Sequence, residues 1–94
     1  MSLIEQGSKQ LQEGDFDQAI QSFSDYLKND ELNTNVLCLR GIAFRKVKKF
    51  NESLADFQKA LNLTPTNASL YSEIAVTQFH LKQLISALNN MNKA

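Results

Sequence analysis

Cys38 and His80 are the side chains best suited to catalysis, and the sequence holds one residue of each type. A thiolate next to an imidazole base is a typical arrangement in nucleophilic enzymes. A zinc site built from Cys and His needs three or four such ligands, so this composition excludes it. The glycines Gly7, Gly14 and Gly41 stand apart and form no phosphate-binding loop. Catalysis would therefore require a fold that brings Cys38 and His80 together.

The charged residues argue against a nucleic-acid or membrane partner. Ten Lys and Arg balance ten Asp and Glu, so the formal net charge at pH 7 is zero. One helix would scatter the central basic residues around its axis: Arg40, Arg45, Lys46, Lys48 and Lys49. No apolar run approaches the 18 residues of a membrane span. We expect neither a nucleic-acid partner nor a membrane partner, and no cofactor.

A repeat of 34 residues organises the chain into units 1–33, 34–67 and 68–94, which we expect to form a single domain, 1–94. Small residues align with small ones and large apolar residues with large apolar ones. The aligned columns are Leu3, Leu37 and Tyr71; Gly7, Gly41 and Ala75; Phe16, Phe50 and Leu84; Ala19, Ser53 and Ala87; Ile20, Leu54 and Leu88; and Phe23, Phe57 and Met91.

Each unit has apolar residues at spacings of three and four, which is typical of amphipathic helices. Turn-rich segments separate them, with Asp15, Thr34 and Asn67 as expected N-caps. The pattern predicts six helices near 2–13, 16–29, 35–48, 51–63, 68–81 and 84–93.

A helix-turn-helix unit of this length resembles the tetratricopeptide repeat (TPR) family. The middle unit carries the match through Gly41, Phe44, Ala60 and Pro65, besides its aligned columns. The resemblance implies an all-α fold, a right-handed superhelical α-solenoid of three TPR-like repeats. It also implies a concave groove lined by the first helix of each pair, and interaction with proteins instead of catalysis. Arg40 replaces the family's usual apolar residue, and we expect it to loosen packing in the middle unit.

On that fold, helical projection predicts which residues face the groove. They are Ile4, Ser8, Cys38, Leu39, Ile42, Arg45, Lys46, Ser72, Glu73, Val76, Phe79 and His80. The groove centre is mostly apolar and its rim polar. Packing between neighbouring helices is an equally good interpretation of Ile42 and Val76. Register in the stacked repeats separates Cys38 from His80 by about 12 Å along the axis, too far for a nucleophile and its base.

Family members that hold the acidic C-terminus of heat-shock chaperones use Lys, Arg and Asn side chains as a clamp for the terminal carboxylate. The matching positions here are Ile4, Ser8, Leu39, Ser69 and Glu73. The clamp is absent, and Glu73 would repel a carboxylate. A segment that presents apolar side chains, such as an amphipathic helix, is the expected ligand.

The third unit has more apolar surface than one inward face needs, and we expect no complete capping helix after it. The possible oligomer face consists of Leu81, Ile85 and Leu88. Either the chain is part of a longer protein or a second chain covers this end. The net charges of the three units are −5, +4 and +1, which could steer one copy toward another.

These observations predict a non-enzymatic scaffold or adaptor that binds a protein or peptide partner in its groove. The alternative is a self-associating module that forms a homodimer or higher oligomer through its uncapped end or its groove. One cysteine suits a reducing compartment, so we expect a cytoplasmic location.

Overall fold

Five α-helices make up the part of the chain that the computed structural model describes, residues 1–92, with side chains described through residue 90. They are α1 (Leu3–Gln12), α2 (Phe16–Leu27), α3 (Thr34–Lys46), α4 (Phe50–Leu63) and α5 (Ala68–Asn92). Consecutive helices pack on each other along the chain, and α1 also contacts α3. Residues 1–92 contain no β-strand. The all-helical prediction is therefore confirmed.

The core follows the repeat. Phe23 of α2 and Phe57 of α4 are fully buried, and each ring lies on the glycine of the preceding helix. A Cβ built on Gly7 would lie 2.5 Å from Cε1 of Phe23, and one built on Gly41 would lie 2.8 Å from Cε1 of Phe57. The small column therefore lets two helix backbones approach closely enough for an aromatic ring to fill the space between them.

Helix starts differ partly from the predicted caps. Ser2 and Glu5 form a reciprocal capping box at α1. Asn33, and not Thr34, caps α3, its Oδ1 accepting from the N–H of Val36 at 3.1 Å. Asp15 precedes α2 but makes no side-chain cap bond. An amide or hydroxyl side chain one residue before the helix is placed to accept from its first turn, which Thr34, already inside the helix, is not.

The prediction of six helices was wrong for the third unit, because α5 runs without a break through Lys82 and Gln83. The first two units turn at Gly14 (φ 84°) and Lys48 (φ 66°), the positions that align with Lys82. A left-handed lysine costs roughly 1–2 kcal/mol, which at Lys48 is offset by the packing of α4 against α3. Lys82 and Gln83 are good helix formers, so the chain stays helical there. Residue 93, the predicted end of the sixth helix, lies outside the described residues.

The expectation that Arg40 loosens packing in the middle unit was wrong. Its guanidinium bonds both carboxylate oxygens of Asp56 on α4, with Nε–Oδ2 at 2.8 Å and Nη2–Oδ1 at 2.7 Å. Its Nη1 also donates to Ser24 Oγ on α2 at 3.2 Å. One polar side chain therefore connects three helices, and its charge is matched where it is half-buried.

Candidate functional site

Helices α1, α3 and α5, the first helix of each repeat, carry the residues predicted for the groove. Contacts between α1 and α3 place those two helices side by side, and bonds from Arg45 connect α3 to α5. The apolar groove residues on α1 and α3 are half-buried and pack on the core; they are Ile4, Cys38, Leu39 and Ile42. They therefore contribute to helix packing while keeping part of their surface accessible.

The α5 part of the predicted set is more open. Val76 is 43% exposed and Phe79 57% exposed, so each presents a large apolar side chain to solvent. Ser72 is exposed as well, as is Lys46 at the end of α3, whereas Ser8 on α1 is half-buried. Exposed aliphatic and aromatic side chains beside half-buried ones are typical of a protein-binding surface.

Arg45 connects α3 to α5 instead of standing free at the rim. Its Nη2 lies 3.0 Å from Glu73 Oε2, and its Nη1 lies 3.3 Å from Thr77 Oγ1 and 3.4 Å from the Glu73 carbonyl oxygen. The guanidinium carbon also sits 5.8 Å from the centroid of the Phe57 ring. The charge of the Arg45 guanidinium is therefore already paired within this chain.

Glu73 has a charge partner but an unfilled hydrogen-bonding position. Its Oε2 is buried and accepts no hydrogen bond among the described residues, because the close approach of Arg45 lacks the required direction. Because this oxygen is buried against Arg45, it has no accessible surface for a donor on a ligand. A carboxylate at this point disfavours an anionic ligand.

His80 lies against aromatic rings. Its imidazole stacks on Phe50 of α4 with centroids 6.1 Å apart, and it contacts Phe79 edge to face at 5.8 Å. The residue thus faces the start of α4, at the edge of the predicted groove. Phe50 is buried and His80 exposed, so the imidazole covers an apolar ring at the surface.

Cys38 has the properties of a packing residue. Partial burial raises the pKa of its thiol, and the charges of Glu73 and Asp56 add to the rise. A nucleophilic cysteine needs the opposite shift, toward the thiolate. No group of three or more His, Cys, Asp or Glu side chains in residues 1–92 could hold a metal ion.

The sequence prediction missed two polar contacts around this surface. Thr77 is fully buried and bonds both Arg45 and the carbonyl oxygen of Glu73, the latter at 2.8 Å. Its position was outside the predicted set because a threonine on a helix carries no distinctive spacing signal. Arg40 gave a sequence signal, because it is a basic residue at a position that is usually apolar. Its partner Asp56, however, is sixteen residues away on the next helix, and no spacing rule links the two.

Stacked helix pairs with aromatic-on-glycine contacts and a partly apolar face define a helical-repeat protein of the interaction type. Residues 41–82 match the family model described as TPR repeat. The aligned columns of the sequence and the similar solved structures agree with this match. The chain therefore belongs to the TPR family.

Similar proteins include human peptidyl-prolyl cis-trans isomerase FKBP4, which is 35% identical over 71 residues. That match covers 76% of this chain and 16% of FKBP4. RNA polymerase II-associated protein 3 of Mus musculus is 28% identical over 91 residues, covering 97% of this chain and 14% of that protein. The chain thus spans about a sixth of the length of these relatives.

A solved structure described as the first TPR of Spaghetti (RPAP3) bound to the HSP90 peptide SRMEEVD has the same fold. It superposes with a TM-score of 0.81 at 28% identity, covering 90% of this chain and 68% of that one. No helix within residues 1–92 is both long and apolar enough to cross a membrane.

Proposed function

We propose that this chain is a non-catalytic adaptor module that binds an apolar peptide or amphipathic helix on the face formed by α1, α3 and α5. The observation that carries the proposal is the exposure of the large apolar side chains Val76 and Phe79 on α5, together with the half-buried Leu39 and Ile42 on α3. Helix-in-groove recognition uses such a surface to hold apolar residues at helical spacing.

The chemistry of this face differs from that of chaperone-binding relatives. The similar structure of RPAP3 holds a peptide that ends in Glu-Glu-Val-Asp. The positions that would hold the terminal carboxylate carry Ile4, Ser8, Leu39, Ser69 and Glu73 here. None is a cation, and Arg45 is already paired with Glu73 at 3.0 Å. An acidic C-terminus is therefore a poor ligand for this surface.

Glu73 restricts the charge of the proposed ligand. Its Oε2 is buried and lies 3.0 Å from Nη2 of Arg45, so it offers a ligand no accessible acceptor. The preferred peptide is then apolar at two or three positions and carries no carboxylate next to Glu73. We also propose a cytoplasmic location, supported by the free thiol of Cys38.

Peptide selection tests this function. A phage-displayed library of random peptides is panned on the chain, and the selected peptides are compared with SRMEEVD by fluorescence polarisation. We expect apolar residues at helical spacing in the selected peptides and weaker binding of SRMEEVD. Equal or tighter binding of SRMEEVD, or a selection that yields no binder, would contradict the proposal.

Two variants locate the binding surface. Val76→Glu puts a charge on the exposed part of the face and should weaken the selected peptides by more than about tenfold. Leu39→Glu should do the same, with circular dichroism checking that the half-buried position tolerates it. Gln58→Glu, on an exposed part of α4, is the matched control and should bind normally. Unchanged binding in both groove variants would place the peptide elsewhere.

A second candidate function is self-association, favoured by the exposure of Ile85 and Leu88 at 49% and 50% on α5. Soluble chains rarely leave such side chains together on one stripe without a partner. Light scattering over a range of concentrations measures it, and a mass that stays at 10.6 kDa would exclude it.

A further inference from the structure

A continuous stripe of apolar and small side chains runs along α5. Its first part packs against α4 and leaves Leu70 1% and Thr77 0% exposed. At spacings of three and four it continues through Leu81, Ile85 and Leu88, where exposure rises to 50% at Leu88. Within residues 1–92, the surface of α5 that packs on α4 in its first half has no helix packed on its second half.

The change occurs where α5 passes the start of α4. Phe50 is the first residue of α4, and His80 of α5 stacks on its ring at 6.1 Å. Residues 81–92, here called the arm, extend past this point for about 18 Å at 1.5 Å per residue. Leu54 of α4, with Leu81 and Ile85, lines a shallow groove at the base of the arm. The arm therefore offers a helix-binding stripe that continues an existing helix interface.

The arm carries few charges. Residues 83–92 contain no Asp, Glu, Lys or Arg, although the whole chain is 21% charged. In a two-fold interface each patch meets its own copy, so a charged residue near the axis meets a like charge. An uncharged aliphatic stripe avoids that repulsion.

We propose that the arm pairs with the arm of a second copy as an antiparallel two-helix interface. This proposal rests on the self-association proposed above and names its surface. Leu81, Leu84 and Leu88 have the spacing of a coiled-coil seam, with Ile85 beside it. Antiparallel packing places Leu84 of one copy opposite Leu88 of the other and extends each arm toward the partner's α4.

The orientation follows from the position of helices α1–α4 in each copy. Helix α4 packs on the stripe face of α5, so two parallel arms would bring the α1–α4 helices of both copies to the same end and the same side of the paired arms. Antiparallel arms place these helices at opposite ends of the pair. They also separate Lys82 from its counterpart, which a parallel pair would place side by side.

Sedimentation equilibrium of the full chain tests the interface, with Ile85→Lys and Gln83→Lys as a matched pair. Both variants add one positive charge to the arm, but exposed Gln83 lies about 160° around the helix from residue 85, off the stripe. We expect Ile85→Lys to raise the dimer dissociation constant by more than about tenfold and Gln83→Lys to leave it nearly unchanged. Leu88→Gln, a milder second variant, should also weaken the dimer, and circular dichroism checks the fold of all three.

Disulfide trapping tests the orientation in a Cys38→Ser background. Chains with Leu84→Cys are mixed with chains that carry Leu88→Cys and are oxidised. The antiparallel interface predicts mainly mixed dimers, whereas parallel arms would give mainly like-with-like dimers and would overturn the proposal.

The remaining outcomes are also decisive. A chain that is monomeric at all concentrations overturns both the arm interface and self-association. A dimer that resists Ile85→Lys and Leu88→Gln, or responds equally to Gln83→Lys, overturns the arm interface while self-association stands. Peptide binding by Val76→Glu reports on the groove separately from all of these results.

Discussion

Arg40 and Asp56 form a two-bond ion pair across the interface of α3 and α4, and Asp56 is 5% exposed. The aligned positions are Gln6 and Ser22 in the first repeat and Ile74 and Asn90 in the third. The charged pair thus belongs to the middle repeat. Because removing one partner leaves the other charge half-buried without its match, the pair makes α3 and α4 depend on each other.

Replacing one member of this pair should destabilise the chain strongly. Asp56→Ala leaves the Arg40 guanidinium, whose side chain is 23% exposed, without a counter-charge. We expect a loss of about 2–4 kcal/mol in the free energy of unfolding, measured by urea denaturation. The double variant Arg40→Met with Asp56→Leu removes both charges and should lose less than Asp56→Ala alone. A double variant at least as unstable as the single one would show that the pair is not the cause.

A methyl group at the middle glycine should disturb the contact between α3 and α4. In Gly41→Ala the Cβ lies 2.8 Å from the Phe57 ring, so the ring or the helices must shift. We expect a loss of about 1–3 kcal/mol on thermal unfolding. The double variant Gly41→Ala with Phe57→Met copies Ala75 and Met91 of the third repeat and tests the steric cause. Gly41→Ala should therefore lower the stability of a Phe57→Met chain by less than it lowers the stability of the chain that keeps Phe57.

The left-handed lysine between α3 and α4 offers a stabilising change. Lys48 has φ 66°, a conformation that glycine adopts without the Cβ clash. We expect Lys48→Gly to raise the free energy of unfolding by about 1 kcal/mol. The matched test is Gly14→Ala, where φ is 84° and the space around a Cβ is open, so strain alone should lower stability by a similar amount. Loss of stability in Lys48→Gly would mean that the lysine side chain outweighs its backbone strain.

The thiol of Cys38 should ionise at higher pH in the folded chain than in the unfolded one, because burial raises its pKa. The folded state favours the neutral thiol, so this contribution to stability is complete below the unfolded pKa. It is lost as pH rises through the folded pKa. Iodoacetamide alkylation followed against pH, with and without urea, measures both values. A lower midpoint in the folded chain would contradict the assignment of Cys38 as a packing residue.

The sequence by itself determined the four helices of the first two repeats and much of their core. The 34-residue repeat places glycine under phenylalanine in two successive units, and the structure shows both contacts. Such contacts are readable in advance because the period fixes which faces of neighbouring helices meet. The same helical period predicted which residues face the groove. It did not predict their exposure, because Leu39 is half-buried whereas Phe79 is exposed.

Tertiary structure decided the features in which local preference competes with packing. Lys48 and Lys82 occupy aligned positions, yet Lys48 turns the chain and Lys82 continues α5. The turn at Lys48 is stabilised by burial of α4 on α3, a balance that residue type alone does not reveal. The partners of Arg40 and Arg45 were likewise decided by the fold, because Asp56 and Glu73 lie on other helices and become neighbours only when those helices pack.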